Sequence, residues 1–509
     1  MRIARVVDVH RRSLIRAALA GPMVGLGAGC GRDGPATAAV RLGIADAPRN
    51  LDPRLATDAA SERVNRLLYA RLVEFDGASR PVPGIADFEQ LAPRHWRFRL
   101  RAERAAFSNG EPVGAADVVA TYASVLDPAT ASHHRAVLSV IARMEVRDAR
   151  TLDFHLRQPE PLFAYHLGIG ILPASLVEAG HGFQRAPVGS GPLVLAGWPA
   201  PGRLMLRRRH DDMAVELVTV KDPNVRVMKL LRGEVQLLQN DLPPALVGYL
   251  RRQPSVRVVQ SAGINCSYLG FNLADPATGR AEVRRAIAHA IDRTAILRWL
   301  FQGNGRLAEA LFPPEHWAGA ADLAPYPYDP VSARALLAHA GYGPGRPLAL
   351  SYKTSSDPFR IRLATVIQAQ LAAVGIDLRV QSYDWGTFFG DIKAGRFQLY
   401  SLTWVGIRSP DLFRYAFHSE AVPPDGANRG RYRRAAADRL IEAAAAEPDA
   451  RRQAALYRAL QHLLHRDLPY LPLWLEDQVL ATRRGVTGYG LASDGRYDGL
   501  TTVRPPRRA

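Results

Sequence analysis

The sequence has few cysteines, few lysines and no apolar run long enough to cross a membrane. Among 509 residues, cysteine occurs only at positions 30 and 266. The longest apolar stretch, residues 17–29, is shorter than the roughly 20 residues that a membrane-spanning helix needs. The composition therefore excludes a disulfide-rich scaffold and predicts a fold held by its apolar core.

The N-terminal segment has the order of an export signal. A basic start is followed by the apolar stretch 17–29 and then by Cys30. This order is typical of a leader that is removed after export. The sequence therefore predicts that residues 1–38 are a signal peptide with a short linker, and that the mature chain works outside the cytoplasm.

Two processing routes remain open for this leader. It resembles a bacterial lipoprotein signal, in which the cysteine is acylated, here Cys30. Gly27 stands where that pattern has a large aliphatic residue, and the small residues Ala36 and Ala38 offer an ordinary cleavage site. Arg11 and Arg12 also weakly resemble a twin-arginine signal. Along either route the mature chain has too few cysteines for an internal disulfide.

Basic residues are abundant, and they are almost all arginines. The net charge is +18, and lysine occurs at only four positions, so the basic groups are mostly guanidinium groups. A nucleic-acid-binding surface needs clustered basic residues, whereas these arginines are spread along the chain. No nucleic-acid partner is predicted. Attraction to an anionic membrane surface fits the charge better.

Common catalytic motifs are absent from the sequence. No lysine follows a glycine as in a phosphate-binding loop, none lies three residues after a serine, and no His-Glu-x-x-His occurs. Cys266 has apolar and aromatic neighbours, as expected for a core residue rather than a nucleophile. The sequence predicts neither catalysis nor a cofactor.

The clearest structural unit lies between residues 348 and 380. An apolar strand over 348–352 is followed by Asp357 and Pro358, which are typical of a helix start. The helix is expected to run to about Val374 and to end at Gly375, before an alternating strand over 376–380. Short links between strand, helix and strand predict a parallel βαβ unit in an α/β domain.

Other elements are indicated by the same signals. We expect strands over residues 40–44, 96–100 and 151–156, the last two with alternating burial. Helices are expected over 330–340 and 449–465, the second ended by Pro469 and Pro472 before a strand over 473–481. No repeat or low-complexity linker follows residue 40, which predicts domains that interleave through several crossings.

A family signature runs through the chain from about residue 40 to 485. Its central motif is the segment from Phe107 to Asp117, FSNGEPVGAAD. Shorter segments occur before and after it, in the order that the family has them: 50–53, 68–69, 187–192, 225–235, 271–272, 283–293, 328–342, 428–432 and Asp438. Taken together, they resemble the family 5 solute-binding proteins of ABC transporters, which include the dipeptide and oligopeptide receptors.

The resemblance implies an α/β, two-lobed periplasmic-binding-protein fold with three interleaved domains and a hinge. Domain I is expected from residues 39–70, 187–262 and 480–509, domain II from 71–186, and domain III from 263–479. Ligand would be enclosed between the lobes, where exclusion of water strengthens polar contacts.

The implied function is that of a monomeric periplasmic receptor, tethered by lipid if Cys30 is acylated, that gives a peptide or peptide-like solute to an ABC permease and its ATPase. Neither an enzymatic activity nor a cofactor is implied. Two alternatives stay open. One is a nickel-chelate or haem receptor on the same fold, with His418 as a metal contact or an ordinary loop residue. The other is a ligand sensor without a permease.

The resemblance also implies a set of ligand-binding residues, and one departure from the family pattern. Ile407 stands where peptide receptors of this family have the aspartate that binds the peptide ammonium. Without that carboxylate, a buried ammonium would lose binding free energy on the order of 3–5 kcal/mol. Arg408 would suit a carboxylate or phosphate, or would be a solvated loop residue, and Asp411 is a candidate replacement. The implied ligand-binding residues are Tyr69, Tyr268, Asn272, Trp385, Trp404, Arg408 and Asp411.

Overall fold

A computed structural model describes residues 39–101 and 106–506 of the chain. The expectations for the leader, including acylation of Cys30 and cleavage after Ala38, lie outside the described residues. Within the described ranges no helix is both long and apolar enough to cross a membrane.

Strands and helices alternate along most of the described chain, which confirms the predicted α/β class. The strands β1 to β17 cover, in order, Val40–Ile44, Val73–Phe75, Pro81–Pro83, Ala86–Ala92, His95–Leu100, Ile141–Val146, Thr151–Leu156, Leu193–Ala200, Arg203–Arg208, Ala214–Thr219, Leu237–Gln239, Val256–Phe271, Gly305–Leu307, Leu348–Ser355, Ile376–Tyr383, Leu399–Trp404 and Tyr470–Arg483.

Helices α1 to α14 cover, in order, Ala59–Leu68, Ala115–Leu126, Arg135–Leu138, Ala174–Glu178, Pro223–Arg232, Pro244–Arg251, Ala281–Ala290, Arg293–Ala295, Pro330–His339, Pro358–Ala372, Trp385–Ala394, Asp411–Phe417, Ala435–Ala446 and Ala450–Asp467. Shorter 3₁₀ turns lie at Pro128–Thr130, Phe163–His166 and Asp498–Thr501, and a π turn at Ile296–Leu300.

The predicted βαβ unit is present. Strands β14 and β15 pair in parallel, with Leu348 opposite Ile376, and α10 connects them. The Asp357 side chain accepts a hydrogen bond from the Arg360 backbone N–H, and Pro358 is the first helical residue. Gly375 has a φ of +89°, a conformation that glycine adopts at little cost. Local capping chemistry was sufficient to predict this unit.

Two long strands, β12 and β17, run antiparallel through the middle of the largest sheet. The order of the main path is β15-β14-β16-β12-β17-β11-β1-β10-β9-β8, and β13 pairs with β17. The pairing of β12 with β17 changes register between Ser261 and Asn265. At this break a Cβ on Gly263 would lie 2.0 Å from the Glu476 carbonyl oxygen, so the two backbones approach more closely than other residues allow.

The apolar core is divided on either side of this register break. Residues of β12 before the break, such as Val256 and Val259, pack in clusters with strands β1, β10 and β11. Residues after it, such as Cys266 and Phe271, pack in clusters with β14, β16 and the helices around them. A further cluster lies within residues 72–188. The domain boundaries stated above stay a prediction.

A separate four-stranded sheet has the order β4-β5-β7-β6. Strand β5 alternates as predicted, with Trp96, Phe98 and Leu100 buried. The bounds of β7 are as predicted, but its burial does not alternate, because Asp153 on the polar face is fully buried. Two arginines, Arg97 and Arg147, pair with and cover this carboxylate, a contact that the pattern within one strand cannot reveal.

The end of α14 differs from the prediction in one respect. The helix extends to Asp467, and Leu468 takes a left-handed conformation with φ of +51°. Strand β17 begins at Tyr470, so Pro472 lies inside the strand instead of ending the helix. It lies opposite Tyr268, next to a second irregularity in the pairing, where an irregular strand accommodates a proline.

Candidate functional site

A cavity of about 500 Å³ lies near the register break, and we call it the central cavity. Its wall combines α1 and the start of α6 with the N-terminus of α10, the end of β16 and the middle of β17. Its charged lining residues are Arg63, Asp241, Asp357, Arg360, Glu476 and Asp477. A volume of this size lies within the range of roughly 300–1,000 Å³ that is usual for small-molecule sites.

Charges of both signs line the central cavity. Arg360 lies in the first turn of α10, and its side chain is 31% exposed. Its guanidinium lies 3.7 Å from the Glu476 carboxylate and 3.4 Å from the Thr403 hydroxyl. The Glu476 carboxylate also accepts a hydrogen bond of 2.7 Å from Ser267. Because these contacts are long, the Arg360 guanidinium, which lines the cavity, keeps donors that no described residue occupies.

The aromatic residues near Trp404 form a stack around a buried arginine. Trp404 and Tyr268 stack with ring centroids 6.1 Å apart, and Tyr268 stacks on Tyr470 at 4.3 Å. The Arg429 guanidinium lies 5.0 Å from the Trp404 ring and donates a 3.0 Å hydrogen bond to the Tyr268 hydroxyl. The Trp404 indole Nε1 is buried without a hydrogen-bond partner among the described residues.

Trp385 joins the outer edge of this stack. Its ring lies 5.5 Å from that of Phe389, which is itself 5.3 Å from the Arg429 guanidinium. Trp385 is 59% exposed. The structure therefore brings Tyr268, Trp385 and Trp404 together through Arg429 and Phe389.

Arg408 lies in a group of mutually compensating charges, which we call the arginine cluster. The cluster consists of Arg66, Arg71, Glu74, Arg408, Asp494, Arg496 and Asp498. The guanidinium of Arg408 pairs with Asp494 and lies 5.0 Å from the Phe75 ring. Burial, together with the neighbouring guanidinium groups, lowers the pKa of Arg408 to about 9. Arg408 is thus neither free nor fully solvated in this structure.

Asp411 lines a second cavity, of about 380 Å³, which we call the acidic cavity. Glu160, Glu420 and Asp425 contribute carboxylates to the same wall, and Arg414 a guanidinium. Asp411 lies 3.8 Å from the His166 imidazole. Burial and the nearby Asp411 carboxylate raise the pKa of Glu160 to about 7.

His418 also borders the acidic cavity, but both of its ring nitrogens already have partners. Its Nε2 lies 3.2 Å from the Glu442 carboxylate, and the backbone N–H of Glu420 donates to its Nδ1. A metal contact at His418 is therefore not favoured by this geometry.

Like Arg408, two further predicted residues, Tyr69 and Asn272, lie apart from these two cavities and from the aromatic stack. Tyr69 is buried, and its hydroxyl donates a 2.9 Å hydrogen bond to the Leu51 carbonyl. The Asn272 amide donates to the carbonyls of Gly395 and Phe397. Trp404 lies opposite Cys266 in the sheet. Asn272 is six residues after Cys266, which corresponds to about 20 Å along an extended chain. The structure does not bring Asn272 to the candidate site.

Sequence reasoning missed Arg360, Arg429 and Glu476. A signal existed for Arg360, because the start of a helix that follows a parallel strand is a frequent ligand-binding position in α/β folds. No local signal identifies Arg429 or Glu476, whose partners Tyr268 and Ser267 are distant in sequence.

The chain belongs to the bacterial extracellular solute-binding proteins, family 5, since residues 80–422 match the profile of that family. This confirms the resemblance drawn from the sequence motifs. The Di/tripeptide-binding protein 2 of Pseudomonas aeruginosa (strain UCBPP-PA14) is 29% identical over an alignment that covers 88% of this chain and 91% of the relative.

Solved structures share the fold. The periplasmic binding protein DppA of Helicobacter pylori, in complex with the peptide STSA, matches with a TM-score of 0.73 and 26% identity, over 91% of this chain and 97% of its own. NikA of Brucella suis, in complex with Fe(III)-EDTA, matches with a TM-score of 0.83 and 22% identity, over 92% and 99%. The predicted periplasmic-binding-protein fold is thereby confirmed.

Proposed function

We propose that this protein is the periplasmic receptor of an ABC importer, and that it binds a di- or tripeptide or a peptide-like solute in the central cavity. The family assignment and the similarity to di/tripeptide-binding proteins support the class of ligand. The receptor would pass its ligand to a membrane permease driven by an ATPase, and it acts as a binding protein rather than an enzyme.

The observation that carries the proposal is the mixed charge of the central cavity. A zwitterionic peptide presents a carboxylate at one end and an ammonium group at the other. The guanidinium of Arg360 fits the carboxylate, because it can donate two parallel hydrogen bonds. The carboxylates of Asp241, Asp357 and Asp477 line the same cavity and offer acceptors for the ammonium.

The missing aspartate at Ile407 changes how the ammonium is held. Ile407 packs against an apolar cluster instead of presenting a carboxylate. Asp411 lines the acidic cavity, a different cavity from the one with Arg360. We infer that the ammonium of the ligand uses the carboxylates of the central cavity, and that Asp411 serves a ligand group only if the ligand extends into the acidic cavity.

Peptides modified at one end test the proposal. Isothermal titration calorimetry would compare a dipeptide with its C-terminal amide and its N-acetyl derivative. We expect amidation to weaken binding about tenfold or more, since it removes the charge-assisted pair with Arg360. Failure of every di- and tripeptide in a broad library to bind would overturn the assignment of a peptide ligand.

We propose that the receptor acts as a monomer and that the leader gives it its location. Acylation of Cys30 would tether it to the membrane that holds the permease, where a high effective concentration favours docking. Cleavage after Ala38 would release it into the same compartment. Mass spectrometry of the mature N-terminus distinguishes these outcomes. An acylated protein begins at Cys30 and carries the mass of the lipid, whereas cleavage after Ala38 removes Cys30 with the leader.

A further inference from the structure

Two histidines face each other on the polar side of the four-stranded sheet. His95 in β5 lies directly opposite His155 in β7, and their rings stack with centroids 4.4 Å apart. The other side of these strands packs into an apolar cluster through residues such as Phe98 and Phe154. Residues directly opposite on antiparallel strands have Cβ atoms about 5 Å apart, a spacing at which two imidazoles can reach one ion.

A carboxylate lies beside the two imidazoles. Asp153 is two residues before His155 on β7 and therefore on the same side of the sheet. Its Oδ2 lies 3.1 Å from Nε2 of His95. One ligating atom from each of His95, Asp153 and His155 lies within 4.8 Å of the other two.

The two imidazoles lack adequate hydrogen-bond partners. Nε2 of His155 lies 3.4 Å from a carboxylate oxygen of Glu145, and Nε2 of His95 has the Asp153 contact. Neither contact has hydrogen-bond geometry, so within the described part of the chain both nitrogens are buried and unsatisfied. Two buried imidazole nitrogens without a hydrogen-bond partner, grouped with the Asp153 carboxylate, could be satisfied together by one bound ion.

Two arginines already contact the carboxylate, and they differ in how firmly they are held. Arg97 donates to both oxygens of Asp153, at 2.8 and 2.9 Å. Of the two Asp153 oxygens, Arg147 contacts Oδ2, at 2.8 Å; it also pairs with Glu145 at 2.7 Å, and its side chain is 41% exposed. Arg97 can stay as an outer partner of a bound carboxylate, whereas an ion on Oδ2 would displace Arg147 into solvent.

We propose that His95, Asp153 and His155 form a binding site for a divalent transition-metal ion such as Zn²⁺ or Ni²⁺. Imidazole nitrogen and carboxylate oxygen are common ligands for these ions. Bonds of about 2.1 Å require donor atoms roughly 3.4 Å apart, so side-chain rotation within the observed cluster would complete the geometry. Glu145 lies next to His155 and can provide a fourth ligand. The site is independent of the peptide proposed for the central cavity.

Metal titration of the untagged mature protein tests this site. Calorimetry with Zn²⁺ and with Ni²⁺ should show one site per chain, and His95→Ala and His155→Ala should each weaken it about tenfold or more. His462→Ala is the matched control, because that exposed histidine also lies beside a carboxylate, Asp322, and is outside the proposed cluster. Absence of saturable binding, or unchanged affinity in both His95→Ala and His155→Ala, would overturn the proposal.

An arginine variant provides a test in the opposite direction. Arg147→Gln removes one of the two guanidinium groups that donate to Oδ2 of Asp153, so the affinity for Zn²⁺ should rise several-fold. Circular dichroism would verify that the variant is folded. Weaker binding by folded Arg147→Gln would show that the ion does not take the place of Arg147, and it would contradict the proposed geometry.

Discussion

Arg360 and Arg408 are both partly buried arginines near the candidate site, but their surroundings differ. Among residues 39–101 and 106–506, the polar side-chain contacts of Arg360 are long, at 3.4 and 3.7 Å, and Arg360 lines a cavity of about 500 Å³. Arg408 pairs with Asp494 inside a cluster in which acidic and basic groups compensate each other. This difference indicates that a residue is available to a ligand when it has unused hydrogen-bond donors, and that a charge alone is not sufficient.

The largest expected effect is on stability in the arginine cluster. Asp494→Ala leaves Arg408 buried without its partner, and we expect a loss of about 3 kcal/mol in the free energy of unfolding. Denaturant unfolding measures it. The Arg408→Ala, Asp494→Ala double variant should lose less than the two single variants together, because their contacts are shared. A loss below about 0.5 kcal/mol for Asp494→Ala would contradict the assigned pairing.

The next effect is on ligand affinity at the central cavity. Arg360→Ala should weaken dipeptide binding about 10- to 100-fold, the value of a charge-assisted hydrogen bond of about 1.5–3 kcal/mol. Calorimetry measures the change. Arg362→Ala is the matched control, since Arg362 is an exposed arginine in the same helix. Equal losses in both variants would indicate a general charge effect instead of a specific contact.

A third change restores the carboxylate that peptide receptors of this family have. Ile407→Asp should raise the affinity for peptides with a free ammonium about tenfold, through a new charged contact. N-acetyl peptides should show no gain, and Ile407→Asn controls for the loss of the apolar side chain. A gain that is the same for acetylated peptides would mean that the new carboxylate does not meet the ammonium.

The smallest expected effect concerns the acidic cavity. Glu160 has a pKa raised to about 7 in the folded protein, so the folded state binds more protons than the unfolded state between about pH 4.5 and 7. The contribution of Glu160 to the free energy of unfolding therefore decreases as the pH rises from about 4.5 to 7. Glu160→Gln should stabilise the protein by about 1 kcal/mol at pH 8, after allowance for solvent screening, and little at pH 4.5.

Thermal unfolding across pH measures this effect. Glu178→Gln is a control for the loss of a carboxylate elsewhere, because Glu178 is an exposed residue at the end of α4. If Glu160→Gln changed the unfolding temperature equally at pH 4.5 and pH 8, Glu160 would not be the titrating group.

Local chemistry explains which parts of the fold were predictable from the sequence. The βαβ unit of β14, α10 and β15 was predictable because Asp357, Pro358 and Gly375 mark its helix by contacts within a few residues. The burial of Asp153 was not, because its arginine partners come from β5 and from the turn after β6. Pro472 was predicted to end α14, because prolines commonly end helices. It lies inside β17 instead, at an irregular strand pairing that accommodates a proline.

The candidate site was less predictable than the fold. Trp404 and Tyr268 were named from a resemblance, and the structure stacks them. The pairing of Arg408 with Asp494 joins residues far apart in sequence, and no local pattern indicates it. The contact between Arg360 and Glu476 is likewise set by the pairing of the long strands and the packing of α10.

Native mass spectrometry of the protein purified without denaturation tests the central claim most directly. We expect a bound adduct of dipeptide or tripeptide mass in the wild-type protein, identified by fragmentation and strongly reduced in Arg360→Ala but kept in Arg362→Ala. A wild-type protein that carries no adduct and takes up no peptide from a library, or an adduct that Arg360→Ala retains in full, would contradict it.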